Sequence, residues 1–581
     1  MNILKNFLNK EKIEYKIDTE NLESFSKDTS LFKIIPKIII FPKNKFEISD
    51  ILKFISENST QKYSITSRSA GTDMSGAAIG ESIILSFTKY FNNIISINKE
   101  KKEAIVEPGV YYRDFEKETL KSDLLLPTYP ASREICAIGG MISNNSGGEK
   151  SIIYGKTGDY ILELEAIHSN GEIINLKALK GNEFINKLNS LNNNSLEYKI
   201  YKDIYDLVSN NENKIIINKN KPQVSKNSAG YYLWNICKEE NGEKVFDLTK
   251  LLTGSQGTLA IITKIKLKLV ESKKYTKMLL IFLKDLKDLG FVRNIVVKYN
   301  PESFESYDDK TFKVAIRFLP AFLKNLFKKN KSSIKKVNFF KLTFSFWREI
   351  KLLLTFRMPK LFLIAEFSGN NEKELEEKII SCQKELNINK ENKKENKNIK
   401  IRFVKTEFER EKFWTMRRES FNLLRQKVKG MHTAPFIDDI VVKGEDLESF
   451  LNELIPILDK YKLLYTIAGH VADGNLHIIP LMNFDDKEII NKNIEIIKSC
   501  SHEVYSLIKK YHGSITGEHN DGLIRTPFLH DMYDENMLKL FKEVKNIFDE
   551  NNILNPGKKV PISDNPEIEI NNNFKYIKFG K

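Results

Sequence analysis

Gly469-His470-Val471-Ala472-Asp473-Gly474-Asn475-Leu476-His477 places two imidazoles symmetrically about a turn. Tyr465 to Val471 and Leu476 to Leu481 are mostly apolar, β-prone runs on either side. Asp473-Gly474 between them is a strong signal for a two-residue hairpin turn, because type I′ turns need positive φ at both centres. With that turn, His470 lies opposite His477. Directly opposed residues hold their Cβ atoms about 4.5–5.5 Å apart on one face of the sheet. Two imidazoles so placed can share a metal ion, and a carboxylate as third ligand leaves a coordination position open for substrate. The chain offers one in Gly517-Glu518-His519-Asn520-Asp521-Gly522, where three of its eight histidines and several carboxylates fall within two short pieces. Neighbouring side chains diverge in extended backbone. Glu518 can therefore face an ion while His519 faces a reacting proton. Ordinary packing of a histidine pair, and a plain turn at Gly517, remain the alternatives on spacing alone.

The 581 residues are 41% hydrophobic and 29% charged, a globular composition long enough for two to four structural units. No run of about 18 apolar residues occurs, so a spanning helix is not expected. Met1-Asn2-Ile3-Leu4-Lys5 soon becomes charged and lacks the apolar core of a signal peptide. Cys136, Cys237, Cys382 and Cys500 lie far apart with no CxxC pair, which argues against a disulfide framework or an iron–sulfur cluster. These features lead to an expected cytoplasmic location. The net charge is +15, and Lys310 to Lys360 alone holds fourteen Lys and Arg against the single acid Glu349. The rest is nearly balanced, so nucleic-acid binding is a poor explanation and a local basic surface a better one.

Before the histidines the chain alternates strand and helix. Ile38 to Pro42 reads as a strand, Lys45 to Asn58 as an amphipathic helix, and Tyr63 to Thr66 as the next strand. That strand enters Ser67-Arg68-Ser69-Ala70-Gly71-Thr72-Asp73-Met74-Ser75-Gly76, a small polar loop able to turn backbone N–H groups toward one anion. It has neither the Walker A nor the GxGxxG spacing. Ile138-Gly139-Gly140-Met141-Ile142-Ser143-Asn144-Asn145-Ser146-Gly147-Gly148 carries four glycines and two asparagines, which makes a regular element there unexpected. Exposed backbone of that density suits close approach to a large flat or charged ligand. Leu252-Thr253-Gly254-Ser255-Gln256-Gly257-Thr258-Leu259 is a third small-residue loop before a strand from Ala260 to Val270.

In this order the motifs resemble the FAD-dependent D-2-hydroxyacid dehydrogenases of the vanillyl-alcohol oxidase superfamily, over about residues 36 to 560. The carriers are the 67–76 loop, the Ile138–Gly148 stretch with Tyr154-Gly155, the Gly254-Ser255-Gln256-Gly257-Thr258-Leu259 loop, the two histidine pieces and Asn555-Pro556-Gly557-Lys558. The resemblance implies an α+β architecture. A two-subdomain FAD-binding domain of the PCMH type would span 36–272, after an N-terminal extension at 1–35. A substrate-cap domain with an antiparallel sheet would span 273–530 and include the basic insertion at 310–360. A helical segment at 531–560 would return to the flavin, and a loose polar tail would follow at 561–581.

The same resemblance assigns Arg68, Ser69, Gly71, Thr72, Ser75, Gly139, Gly140, Asn145, Gly148 and Asn555 to noncovalent FAD. It assigns His470, His477 and Glu518 to a divalent metal such as Zn or Mn, His519 to the role of catalytic base, and Arg417 in Trp414-Thr415-Met416-Arg417 to the substrate carboxylate. A bidentate guanidinium suits that group. The implied reaction is oxidation of a D-2-hydroxy acid such as D-lactate or glycolate to the 2-oxo acid, with hydride passing to flavin N5. Alternatives are an oxygen-using oxidase, an ether-lipid-type transferase and a nonenzymatic metal-binding scaffold. Two positions depart from the family pattern: Gln256 stands where Glu is usual, and Asn520 where Gly is common. Aromatic and aliphatic residues interleave with the lysines of 310–360, as an interfacial segment needs. Peripheral contact with an anionic membrane and a quinone or protein electron acceptor are therefore expected partners.

Overall fold

The computed structural model describes residues 1–317, 358–388, 397–427, 430–484 and 486–577. They form two compact units. The first comprises Met1–Gly148, Gly155–Ser272 and Ser514–Lys581, and the second Glu149–Tyr154 and Lys273–Gly513. The division after Gly513 assigns Gly517–Gly522 to the first unit, whereas the expected cap domain ran on to residue 530.

In the first unit, Ile38–Phe41 is buried at all four positions, as a strand covered on both faces must be. It pairs with Glu14–Lys16 on one side, antiparallel, and with Ile83–Ser86 on the other, parallel. Ile65–Arg68 completes this sheet, parallel to Ile83–Ser86. The helix Lys45–Glu57 is capped by Asn44, whose side chain accepts from the N–H groups of Phe46 and Glu47. It buries Ile48, Ile51, Leu52 and Ile55 in a core shared with Ile38, Ile40 and Leu85. A second, antiparallel sheet runs in the order Ile94–Asn98, Glu103–Val106, Ile261–Lys268, Ile161–Ile167 and Ile173–Lys177. Two sheets of these kinds are the two-part arrangement expected of the FAD-binding domain.

Two expectations fail here. Ile138–Asn144 is an α-helix despite its glycines. Only Gly139 and Gly140 fall inside it, and Ile138, Met141 and Ile142 bury one face at helical spacing. Gly139 is required by contact, since a Cβ there would come within 2.6 Å of Pro108. The tail is not loose either. Pro566–Phe574 is a helix capped by Asn565, with Ile570 and Phe574 buried. Ile577 then forms an antiparallel bridge with Phe32.

The second unit is built on an eight-stranded sheet. Its order is Ile399–Val404, Tyr275–Leu283, Leu361–Gly369, Ser303–Asp308, Leu464–His470, Asn475–Met482 and His432–Thr433, with Ile440–Val441 also paired to Asn475–Met482. All its pairings are antiparallel. Helices cover it, among them Glu372–Leu386, which buries Leu375, Ile379, Cys382 and Leu386. Most of the basic stretch lies outside the described residues, as do residues 389–396 of the Asn-rich, charged run Asn389 to Lys400, whose composition is that of an exposed loop. Among the described residues no helix is long and apolar enough to cross a membrane.

Candidate functional site

The histidine hairpin forms, with a different turn. Val471–Asp473 is a short 3-10 segment closed by Gly474 at φ 69°. His470 therefore pairs with Asn475, and His477 with Ala468, rather than with each other. The shift is an even number of residues, so both imidazoles stay on one face, as diagonal neighbours. Gly474 is required here, because a Cβ would lie 2.1 Å from the carbonyl oxygen of Val442.

The two Nε2 atoms stand 3.3 Å apart, with the rings nearly perpendicular at 88°. Two nitrogens bound at about 2.0–2.1 Å to one tetrahedral ion would be separated by about 3.3–3.4 Å. Each Nδ1 faces a carboxylate: Glu305 Oε1 at 2.5 Å for His470 and Asp438 Oδ1 at 3.2 Å for His477. Carboxylates behind metal-binding imidazoles orient the rings and fix the tautomer that leaves Nε2 for the ion. These donors fit a divalent metal, and the sequence did not single out Glu305 or Asp438. Glu305 sits on a central strand and Asp438 in a loop, at no fixed spacing from either histidine.

Glu305 also holds Arg417, which donates from Nε at 2.8 Å and from an Nη at 2.7 Å to Oε2. Arg417 is thus not in a surface ion pair; its partner is buried. Burial works to raise the Glu305 carboxyl, but His470 and Arg417 beside it hold it below the usual value. Arg418 pairs instead with both oxygens of Glu149. Trp414 donates to Glu366 at 2.6 Å, and burial pushes that carboxyl up to about 7.

In the first unit, the loop from the strand Ile65–Arg68 and the helix Ile138–Asn144 line up through hydrogen bonds. Ser69 Oγ donates to Pro108 O at 3.1 Å, and the N–H of Gly139 donates to the same oxygen at 2.9 Å. A Cβ on Gly140 would meet nothing within 4 Å, so open space adjoins the first turn of that helix. Ser67 Oγ is buried without a hydrogen-bond partner. Open backbone and an orphaned buried hydroxyl suit the close approach of a nucleotide, and they fit FAD. Gly71 lies at φ 67°, and Asn145, at φ 50°, accepts from the N–H of Gly158 through its side chain. Gly148 approaches Tyr129 O so closely that a Cβ would lie 2.1 Å from it.

Other residues assigned to the cofactor brace the cradle. Arg68 donates to the carbonyls of Phe25, Lys27 and Ala78. Asn555 donates to Ala77 O and Gln256 O and accepts from Thr66 Oγ1. Ser75 donates to Asp73 and accepts from Gln256. Thr72 contributes its carbonyl oxygen to Thr29.

The turn bearing Glu518 and His519 lies in the same unit. Glu518 is buried and accepts from Lys226 Nζ at 3.0 Å, with both side chains almost unexposed. Lys156 Nζ donates to Gly517 O at 2.7 Å, and Ser228 Oγ to the same oxygen at 2.9 Å. From Gly513 to Leu529 every residue is buried except His519, which is half-buried. Lys156, Lys226 and Lys559 were missed by the sequence reading. The small-residue run Ser225-Lys226-Asn227-Ser228-Ala229-Gly230-Tyr231 resembles the other cradle loops and could have pointed to Lys226.

Comparison with known proteins gives two family matches, the second of which continues past Gly513 into residues of the first unit. A model described as FAD binding domain matches residues 36–177, and one described as FAD linked oxidases, C-terminal domain, matches residues 273–559. The chain is 28% identical to a D-2-hydroxyglutarate dehydrogenase of Haemophilus influenzae over 92% of its own length, but spans about half (49%) of that relative. It is 26% identical to the glycolate oxidase subunit GlcD of Bacillus subtilis, covering 91% of this chain and 90% of that one. With a D-lactate dehydrogenase of Anaerostipes hadrus it shares 24% identity, over 90% of each. Among solved structures it resembles 4-ethylphenol oxidase from Gulosibacter chungangensis, with TM-score 0.64, 12% identity and 97% of each chain covered. Substrate-bound p-cresol methylhydroxylase gives TM-score 0.64 at 15% identity, with 96% of each chain covered. These two show the PCMH-type fold. With both domain models matched in the order the motifs imply, the chain belongs to the family of FAD-linked oxidases that includes the FAD-dependent D-2-hydroxyacid dehydrogenases.

Proposed function

We propose that the chain oxidises a small D-2-hydroxy acid to its 2-oxo acid, with FAD as the immediate electron acceptor and a divalent ion at the histidine pair. The observation that carries the metal part is the 3.3 Å separation of the two Nε2 atoms, each ring backed by a carboxylate. Bound FAD supplies the two-electron chemistry, and a bound divalent ion supplies Lewis acidity toward the substrate's oxygens. His470 and His477 hold the ion. Glu305 and Asp438 hold the imidazoles. Arg417, fixed by Glu305, receives the substrate carboxylate. His519 takes the hydroxyl proton, a role that its partial exposure on an otherwise buried turn supports. Glu518 as third ligand follows from its motif. D-Lactate, glycolate and D-2-hydroxyglutarate, named for the relatives, define the substrate class. Electrons then pass to a quinone or protein acceptor, and the basic stretch brings the chain to an anionic membrane.

The test is reduction of an artificial dye by the FAD-loaded chain with D- and L-2-hydroxy acids, with and without chelator. Dye reduction should require a D-acid and should fall on chelation. His519→Ala should lower turnover by about 10²–10⁴-fold while flavin stays bound. Exclusive use of L-acids, indifference to chelator or normal turnover in His519→Ala would each remove the corresponding part.

A further inference from the structure

We infer that Asn520 is a positioning residue, whose side chain pins the His519-bearing turn to the C-terminal end of the cradle helix, at Asn144, and to the loop at 254–256. The inference rests on the reading of His519 as proton acceptor. Asn520 is fully buried and lies at φ 71°, a left-handed conformation that glycine adopts without strain and other residues uncommonly. What an asparagine adds there is its amide. Nδ2 donates to Gly254 O at 2.8 Å and reaches Asn144 O at 3.4 Å. Oδ1 accepts from Lys559 Nζ at 2.6 Å and from the N–H of Asp521 at 2.8 Å. Lysine has no acceptor, so Oδ1 must face Lys559 and Nδ2 the carbonyls. The backbone is held as well, its N–H by Thr516 Oγ1 and its carbonyl by Arg525.

Lys559 anchors this arrangement. It has no exposed surface, and it donates to Ser228 O at 2.7 Å and pairs with Asp521 at 2.8 Å. A second pin sits two residues on. The N–H of Gly522 donates to Gln256 Oε1 at 2.9 Å, while Gln256 Nε2 donates to Ser75 Oγ and to Asn144 Oδ1. Asn520 and Gln256 thus meet on one residue, Asn144, of the cradle helix. His519 lies between Glu518, tied to Lys226, and Asn520, tied to the end of the cradle helix and to the loop at Gly254. Misplacing a reacting group by about 1 Å can lower turnover about 10²-fold, which is the scale on which such pins act.

Asn520→Gly keeps the backbone conformation and removes the side-chain pins. Asn520→Asp keeps the acceptor for Lys559 and Asp521 and removes the donor to Gly254 O. In the FAD-loaded full chain, kcat for the best D-2-hydroxy acid should fall about ten- to a hundredfold in Asn520→Gly, with KM within about twofold and flavin content unchanged. Asn520→Asp should fall between it and the parent. Hydrogen exchange of the amides of His519 to Gly522 should quicken in the same order. Unchanged kcat and unchanged exchange in both variants would overturn the inference. So would loss of flavin in step with kcat, which marks a general structural role. Exchange is read without turnover, so a parent chain inactive on every 2-hydroxy acid would count against the proposed reaction, while the exchange series would still decide the pin.

Discussion

His168 follows the strand Ile161–Ile167 with no exposed surface, and neither ring nitrogen has a hydrogen-bond partner. Its ring packs edge-on against Phe548 at 5.9 Å. Burial lowers its pKa from 6.5 to about 3. The unfolded chain therefore takes up a proton near pH 6.5 that the folded chain refuses until about pH 3. The stability contributed by the neutral ring is complete above pH 6.5 and is lost as pH falls from 6.5 toward 3, about 2 kcal/mol of it by pH 5. His168→Phe should flatten the dependence of Tm on pH between 5 and 8 and raise Tm most at pH 5. Parallel pH profiles for the two proteins would refute it. His168 was silent in the sequence because burial without partners has no local signature. His470, His477 and His519 were legible because each sits in a glycine-bracketed motif. Glu305 and Asp438 were not, because they reach the imidazoles only through sheet pairing and a loop.

Among the elements, the hairpin shows how a turn can be misjudged and a face still be read correctly. Asp473-Gly474 drew attention to a two-residue turn, but Gly474 closes a longer one. Face survives any even slip of register, so the shared face of the imidazoles was legible while their pairing was not. The helix Ile138–Asn144 was hidden because glycine content outweighed three buried apolar residues at helical spacing. The loop at Gly254–Thr258 carries its own prediction. Asn144 donates its amide nitrogen to Asp73 Oδ1 at 2.9 Å, so its oxygen faces Gln256 and needs a donor. Gln256→Glu would set a carboxylate against that oxygen in a buried place. The expected loss is about 1–3 kcal/mol, read as a lower denaturant midpoint with the slope unchanged. A midpoint equal to the parent's would show that Asn144 turns over to accommodate the change.

For the whole molecule, the order of motifs was enough to foresee an FAD-binding domain and a second domain with an antiparallel sheet. The return of Ser514–Lys581 to the first unit was harder to see, since no linker composition marks residue 513. Charge is also a whole-molecule property: Lys310 to Lys360 holds nearly all the excess, and each basic residue near an anionic surface contributes about 1 kcal/mol. Sedimentation with anionic vesicles at low salt should carry the parent chain down and leave in solution a variant with several of these lysines neutralised. Equal behaviour of the two would assign the stretch to ordinary structure. The edge of the strand Ile65–Arg68 bears on how the protein is made. Ile65 donates to Ile553 O at 2.8 Å and accepts from the N–H of Asn555 at 2.7 Å, so residues 553–555 lie alongside the strand that feeds the cradle loop. A ribosome adding about 5–20 residues per second delivers that partner about 25–100 s after Ile65, with the whole second unit synthesised in between. Through that interval the cradle strand waits with an open edge, and flavin capture is expected only after residue 555 has cleared the exit tunnel.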